Sequence, residues 1–107
     1  MSPGRTVFAF ALMVSAMNAV PAHAETIRIV IDKMVFAPTE TAASVGDTIE
    51  WVNNDVLAHT ATARNGAWDV AIGAKKNASV VLKTAGAVDY YCRYHPNMTG
   101  RIVVAPK

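Results

Sequence analysis

The sequence predicts an all-β fold, an antiparallel Greek-key β-sandwich of about seven strands. Three observations carry that prediction. Apolar and polar residues alternate with a period of two through most of the chain from Thr26 onward. Turn-forming residues recur between the alternating stretches. No stretch after residue 24 sustains the 3.6-residue apolar period of an amphipathic helix. At 107 residues the chain has room for one domain.

The first segment does not belong to the sandwich. Arg5 precedes an apolar run from Val7 to Met17 (VFAFALMVSAM), followed by NAVPAHA. A basic start, a short apolar run and an Ala22-x-Ala24 ending predict a secretory signal peptide over residues 1–24, cut after Ala24. The run falls short of the roughly 20 apolar residues of a spanning helix, so stable membrane insertion is not expected. The single domain is then residues 25–107. Arg5 is the only charged residue of the leader, so the formal net charge drops from +2 to +1 on its removal. A charge that small predicts no nucleic acid or anionic lipid partner.

Strands follow in order. In TIRIVID, Ile27, Ile29 and Ile31 share one face, opposite Arg28 and Asp32. In DTIEWVN, Ile49 and Trp51 face one way, Thr48 and Glu50 the other. LAHTATA places His59 at a strand start, ASVVLKT and AVDYYC repeat the alternation, and GRIVVA is a short β-branched run near the end. Turns are predicted at Pro38, Gly46-Asp47, Asn53-Asn54-Asp55, Asn65-Gly66, Gly73, Gly86 and Pro96-Asn97. The stretch from Gly66 to Lys76 reads as the largest loop. Along AVDYYC the side chains of Val88, Tyr90 and Cys92 fall on one face. Val88 marks it as the core face, so the thiol sits at the inner end of a buried row.

Cys92 is the only cysteine, in a chain predicted to be exported to an oxidising compartment where cysteines usually pair. An odd cysteine there is an intermolecular disulfide, an exposed thiol or a metal ligand. His95 and Met98 follow it in CRYHPNM. Beyond residue 24 the one other histidine is His59, which follows the apolar turn Val56-Leu57-Ala58. Each residue alone has a plain reading: Cys92 as a small buried hydrophobe, His59 or His95 as a structural strand-end group, Met98 as core filler. Taken together on one sandwich, they form a candidate set of one thiolate, two imidazoles and one thioether. A His₂Cys plane with a weak axial methionine is the blue-copper electron-transfer arrangement. Zinc prefers a fourth Cys, His, carboxylate or water over a thioether, and iron–sulfur clusters need more cysteines. An enzymatic pairing of Cys92 with His59 or His95 lacks an orienting residue, pocket or oxyanion donor, so the chain is not expected to be an enzyme.

The sequence resembles the cupredoxins, and among them the amicyanin group, across essentially all of residues 25–107. FAPTETAASVGDTIEWVNND is similar to the family's second and third strands, and AHTATA to the segment carrying its first histidine ligand. KTAGAVDYYCRYHPNMTGRIVV is similar to its last two strands and the loop between them. The C-x-x-H-x-x-M spacing resembles the short ligand loop of amicyanins and pseudoazurins; plastocyanins have a longer gap before the methionine. The chain departs from the family at Thr60, where Asn often ties the two ligand segments together. It departs also at Arg93 and Tyr94, where amicyanins tend to have Thr and Pro. Tyr94 keeps a backbone N–H near the sulfur that proline would remove, and Asn97 is polar where an apolar residue would extend a docking patch.

The resemblance implies one copper ion in a type 1 site held by His59, Cys92, His95 and Met98. It implies a periplasmic carrier of single electrons, cycling between Cu(II) and Cu(I) and monomeric. Its partners would be transient redox proteins of the dehydrogenase or cytochrome type. His59 is expected to be the buried imidazole and His95 the edge for electron entry and exit. An apolar collar of Val56, Leu57, Pro96 and Met34 would surround that edge, with Arg93 beside it as a solvated surface charge or, alternatively, to steer an acidic partner. The alternative is an exported copper carrier or chaperone using the same donors without a redox-shuttle role.

Overall fold

The computed structural model describes residues 23–107. The predicted leader, residues 1–24, lies outside them apart from its last two positions. Nine strands and no helix make up the described residues. They are β1 (Thr26–Asp32), β2 (Val35–Ala37), β3 (Glu40–Ser44), β4 (Thr48–Asn53), β5 (His59–Ala63), β6 (Asp69–Ile72), β7 (Asn77–Val81), β8 (Gly86–Tyr91) and β9 (Thr99–Ala105). One sheet has the order β2-β1-β4-β7 and the other β3-β9-β8-β5-β6.

The sandwich is the expected one, but its sheets are mixed rather than wholly antiparallel: β1 runs parallel to β4, and β3 parallel to β9. Three short strands, β2, β3 and β6, lie outside the stretches in which alternation predicts a strand. β2 and β3 flank the turn predicted at Pro38, in a stretch where alternation marks no strand, because ETAAS, Thr41 apart, is made of residues that do not favour strands by themselves. Pairing with β9 along its whole length makes β3 a strand. Likewise β6 occupies the middle of the stretch expected to be the largest loop, paired with β5 from Thr62↔Asp69 to His59↔Ile72.

The core follows the period-two pattern. Ile29, Ile31, Ile49 and Trp51 from one sheet meet Ala61, Ile72, Tyr90, Ile102 and Val104 from the other, all buried. Aromatic rings fill its centre. Tyr90 packs edge-on against Phe36 at 4.7 Å and against Trp51 at 5.6 Å, and Trp68 lies 5.5 Å from it. Burial pushes the Tyr90 phenol up to about 12, only partly opposed by the Trp51 N–H that reaches its oxygen. Directly across the β8/β9 ladder from Tyr90 is Gly100. A Cβ there would lie 2.5 Å from the Tyr90 ring, so only glycine fits.

Asp47 joins the first strand to the turn after β3. Its Oδ1 accepts the N–H of Glu25 at 2.9 Å and its Oδ2 that of Ser44 at 2.8 Å. These two donors hold its carboxyl below the usual carboxylate range, against the upward push of burial.

Candidate metal centre

His59 begins β5, and the turn before it is organised by a buried amide. Asn53, 2% exposed, donates from Nδ2 to the carbonyls of Leu57 at 2.9 Å and Gly73 at 3.1 Å. Its Oδ1 accepts the N–H of Asp55 at 2.9 Å. Asp55 is thereby presented to the imidazole four residues on, and its Oδ2 lies 2.8 Å from His59 Nε2. A carboxylate can only accept, so in the neutral ring Nε2 carries the proton and Nδ1 keeps its lone pair. That lone pair faces the sulfur of Cys92, 3.8 Å away. Asp55 also accepts the N–H groups of Lys33 at 2.7 Å and Met34 at 2.9 Å. These form the two-residue hairpin between β1 and β2, where both have positive φ, 53° and 65°. Burial alone would raise the Asp55 carboxyl, but the Met34 N–H, the His59 ring and the Lys33 N–H outweigh it and hold the group low.

The second segment explains the three-residue spacing. His95 N–H bonds the Cys92 carbonyl at 3.2 Å, and Met98 N–H bonds the His95 carbonyl at 2.8 Å. Two successive tight turns thus place residues 92, 95 and 98 at their corners, with Pro96-Asn97 as the favoured central pair of the second. The Cys92 N–H closes the whole loop onto the Met98 carbonyl at 3.0 Å. His95 Nδ1 ends 3.7 Å from Cys92 Sγ.

The nitrogen and sulfur donors of His59, Cys92 and His95 all lie within 4.8 Å of one another. A single ion bonded at about 2.1 Å to nitrogen and about 2.3 Å to sulfur, with the wide angles of a three-donor plane, separates those atoms by about 3.8 Å. The two observed N···S distances match that span. The donor set therefore fits one soft ion bound through thiolate and imidazole. Met98, 4% exposed, lies at the base of the same loop in contact with the core. His59 and Cys92 are fully buried while His95 is half-buried, and the two imidazoles pack edge to face at 5.1 Å.

The departures at Thr60 and Tyr94 resolve differently from expectation. Thr60 ties the segments itself: its hydroxyl accepts the Arg93 N–H at 2.8 Å, and its own N–H donates to Cys92 Sγ at 3.3 Å. Among the described residues Thr60, not Tyr94, provides the backbone N–H bound to the sulfur. Arg93 is an exposed surface charge, with its Nε 3.2 Å from Asp69 Oδ1 on β6. Thr62 is the other donor to Asp69, at 2.7 Å. The sequence reads Asn53 and Asp55 only as turn formers and offers His59 no orienting residue; the structure supplies one in Asp55, whose signal is its position four residues before the imidazole. Large apolar side chains are exposed on the segments that carry the two imidazoles and on the β1–β2 turn. Val56, Leu57, Met34 and Tyr94 are exposed, and Pro96 with them. Met34, Tyr94, His95, Pro96, Asn97 and Met98 line one shallow depression there.

Comparison with known proteins agrees with this geometry. The family model of the cupredoxin-like domain matches residues 5–104. The amicyanin of Paracoccus versutus is 30% identical over 87 residues, covering 76% of this chain and 66% of that protein. The amicyanin of Paracoccus denitrificans is 34% identical over 84 residues, covering 71% of this chain and 64% of its own. The chain thus spans just under two thirds of the length of these relatives. A solved reduced Cu(I) form of an amicyanin mutant superposes with a TM-score of 0.65 at 30% identity, over 79% of this chain and 85% of its own.

Proposed function

The chain belongs to the cupredoxin-like domain family, and from that premise we propose that it is an exported type 1 copper protein carrying single electrons between redox partners. The observation that supports this most is the convergence of the His59, Cys92 and His95 donor atoms within 4.8 Å at one pole of the sandwich. The similar amicyanin structure is a Cu(I) form, and the donors here suit the same ion. Copper held by these groups would supply a one-electron couple between Cu(II) and Cu(I).

The protein's residues do the rest. Cys92 would hold the copper through its sulfur, which accepts the Thr60 N–H. His59 offers Nδ1 because Asp55 holds the proton on Nε2. His95 offers Nδ1 inward and its half-buried ring edge outward, the shortest route for an electron to a docked partner. Met98 would be the weak thioether donor. The tie of Cys92 N–H to Met98 and of Thr60 to Arg93 holds both ligand segments on the β-framework, so little has to move when the charge changes. Met34, Val56, Leu57, Tyr94 and Pro96 form the docking rim. Transient redox interfaces are small, and such a rim is sufficient. A role as copper carrier would need ready ligand exchange, which the full burial of His59 and Cys92 opposes.

Residues 1–24 act as the export signal in this reading, which places residues 25–107 in the periplasm as a monomer meeting dehydrogenase- or cytochrome-type partners. The test is the visible and electron spin resonance spectrum of the purified protein with Cu(II). An intense blue thiolate-to-copper band that disappears in Cys92→Ser is expected; its absence from the parent protein refutes the reading.

A further inference from the structure

The Arg93 backbone and the Arg93 side chain are bound to the same short chain of groups from opposite ends. Arg93 N–H donates to Thr60 Oγ1 at 2.8 Å. Thr60 Oγ1 lies 2.9 Å from Thr62 Oγ1. Thr62 donates to Asp69 Oδ1 at 2.7 Å, and the Arg93 Nε–H returns to that oxygen at 3.2 Å. The four contacts close a ring.

Its proton order is determined. The Asp69 carboxylate can only accept, so the single hydroxyl hydrogen of Thr62 is committed to it. Thr60 must then be the donor to Thr62, which leaves its lone pairs turned toward the Arg93 N–H. Every hydrogen bond points the same way, toward the negative charge, and bonds in such a chain polarise one another. Thr60 N–H meanwhile donates to Cys92 Sγ, so the residue at the centre of the ring also fixes the sulfur's hydrogen bond.

We propose that Asp69 is a positioning residue for the ligand loop, holding the backbone of Arg93, the residue after Cys92, in place through the Thr62 and Thr60 hydroxyls. The arginine–aspartate ion pair does not suffice by itself. Its side chains are 42% and 51% exposed, and such surface pairs contribute little to stability. The hydroxyl relay gives Asp69 its reach. This assignment rests on the copper reading only for its effect on the metal; the hydrogen-bond ring exists without it.

The test is amide hydrogen exchange by nuclear magnetic resonance on the metal-free and Cu(I)-loaded protein, with Thr62→Val, Asp69→Ala and Asp69→Asn. None of these side chains is a proposed ligand, and Asp69 is exposed, so the variants should fold. Arg93 N–H is expected to exchange roughly tenfold faster in Thr62→Val and Asp69→Ala, since the first removes the partner of Thr60 and the second the charge that orients that partner. The double variant should be no faster than the quicker single one, because both act on one ring. Asp69→Asn, which keeps an acceptor oxygen, should recover most of the protection. The core Ile29 N–H should not change in any variant. In Cu(II)-loaded Thr62→Val the thiolate-to-copper band should shift. Unchanged Arg93 exchange, additive effects, or equal acceleration at Ile29 overturns the proposal. A parent protein lacking the blue band overturns the copper reading and leaves the exchange result to be judged alone.

Discussion

Replacing Asp55 by alanine removes three acceptor contacts at once, and they are not equal. The Lys33 and Met34 N–H groups lie at the surface, where water can take over, so each loss costs about 0.5 kcal/mol. The His59 ring is fully buried, and its Nε2–H would be stranded, at about 2 kcal/mol. The sum is roughly 3 kcal/mol, which for a domain of this size lowers the melting temperature by roughly 12–24 °C. Thermal unfolding of the metal-free protein, followed by circular dichroism, measures it directly. Asp55→Asn should lose about half as much, since its one oxygen can serve only part of the set. In the copper-loaded protein the alanine variant should also show a raised midpoint potential, because the carboxylate strengthens His59 as a donor to the oxidised ion. A fall below about 5 °C, equivalent to roughly 1 kcal/mol, would show that Asp55 does not anchor the imidazole.

Asp47 should govern part of the acid limb of stability. Its folded pKa is depressed, so its contribution is complete above the ordinary carboxylate value of 3.8 and is lost as pH falls through the lower folded value. Asp47→Asn should therefore flatten the loss of stability on acid titration below about pH 4. Cleavage after Ala24 would turn the Glu25 N–H that binds Asp47 into an α-ammonium. A protein beginning at Glu25 should then melt higher than one beginning at Ala24, and Asp47→Asn should abolish the difference. Gly100→Ala, which sets a methyl 2.5 Å from the Tyr90 ring, should destabilise by roughly 1–3 kcal/mol in denaturant titration, as overpacking does. Copper loading should raise the unfolding free energy measured by denaturant titration, by about 2.7 kcal/mol at a free concentration one hundred times the dissociation constant.

Alternation along AVDYYC located the thiol correctly: Val88, Tyr90 and Cys92 are all buried and Asp89 is exposed. The same reasoning placed Ile29, Ile31, Ile49 and Trp51 in the core. What it missed depended on distant partners. β3 is a strand because β9 lies beside it, and ETAAS carries no strong local signal of its own. Nor could spacing show that Thr60 would reach Arg93, since a hydroxyl one residue past His59 has many possible acceptors and donors. The polar groups that orient the ligands come from turns whose composition announces only that the chain bends. Asn53 and Asp55 are of this kind.

Gly100 has a bearing on the pole of the molecule although it lies in the sheet. Cys92 follows β8 and Met98 precedes β9, so the alignment of those two strands decides how the two sulfur atoms stand relative to each other. A slip of a single position would displace one by about 3.4 Å against the other, more than the length of a bond to a metal. It would also bring a side chain where the phenol of Tyr90 now rests over bare backbone. The missing side chain works as an index notch, letting the hairpin close in one alignment and keeping both ends of the loop level.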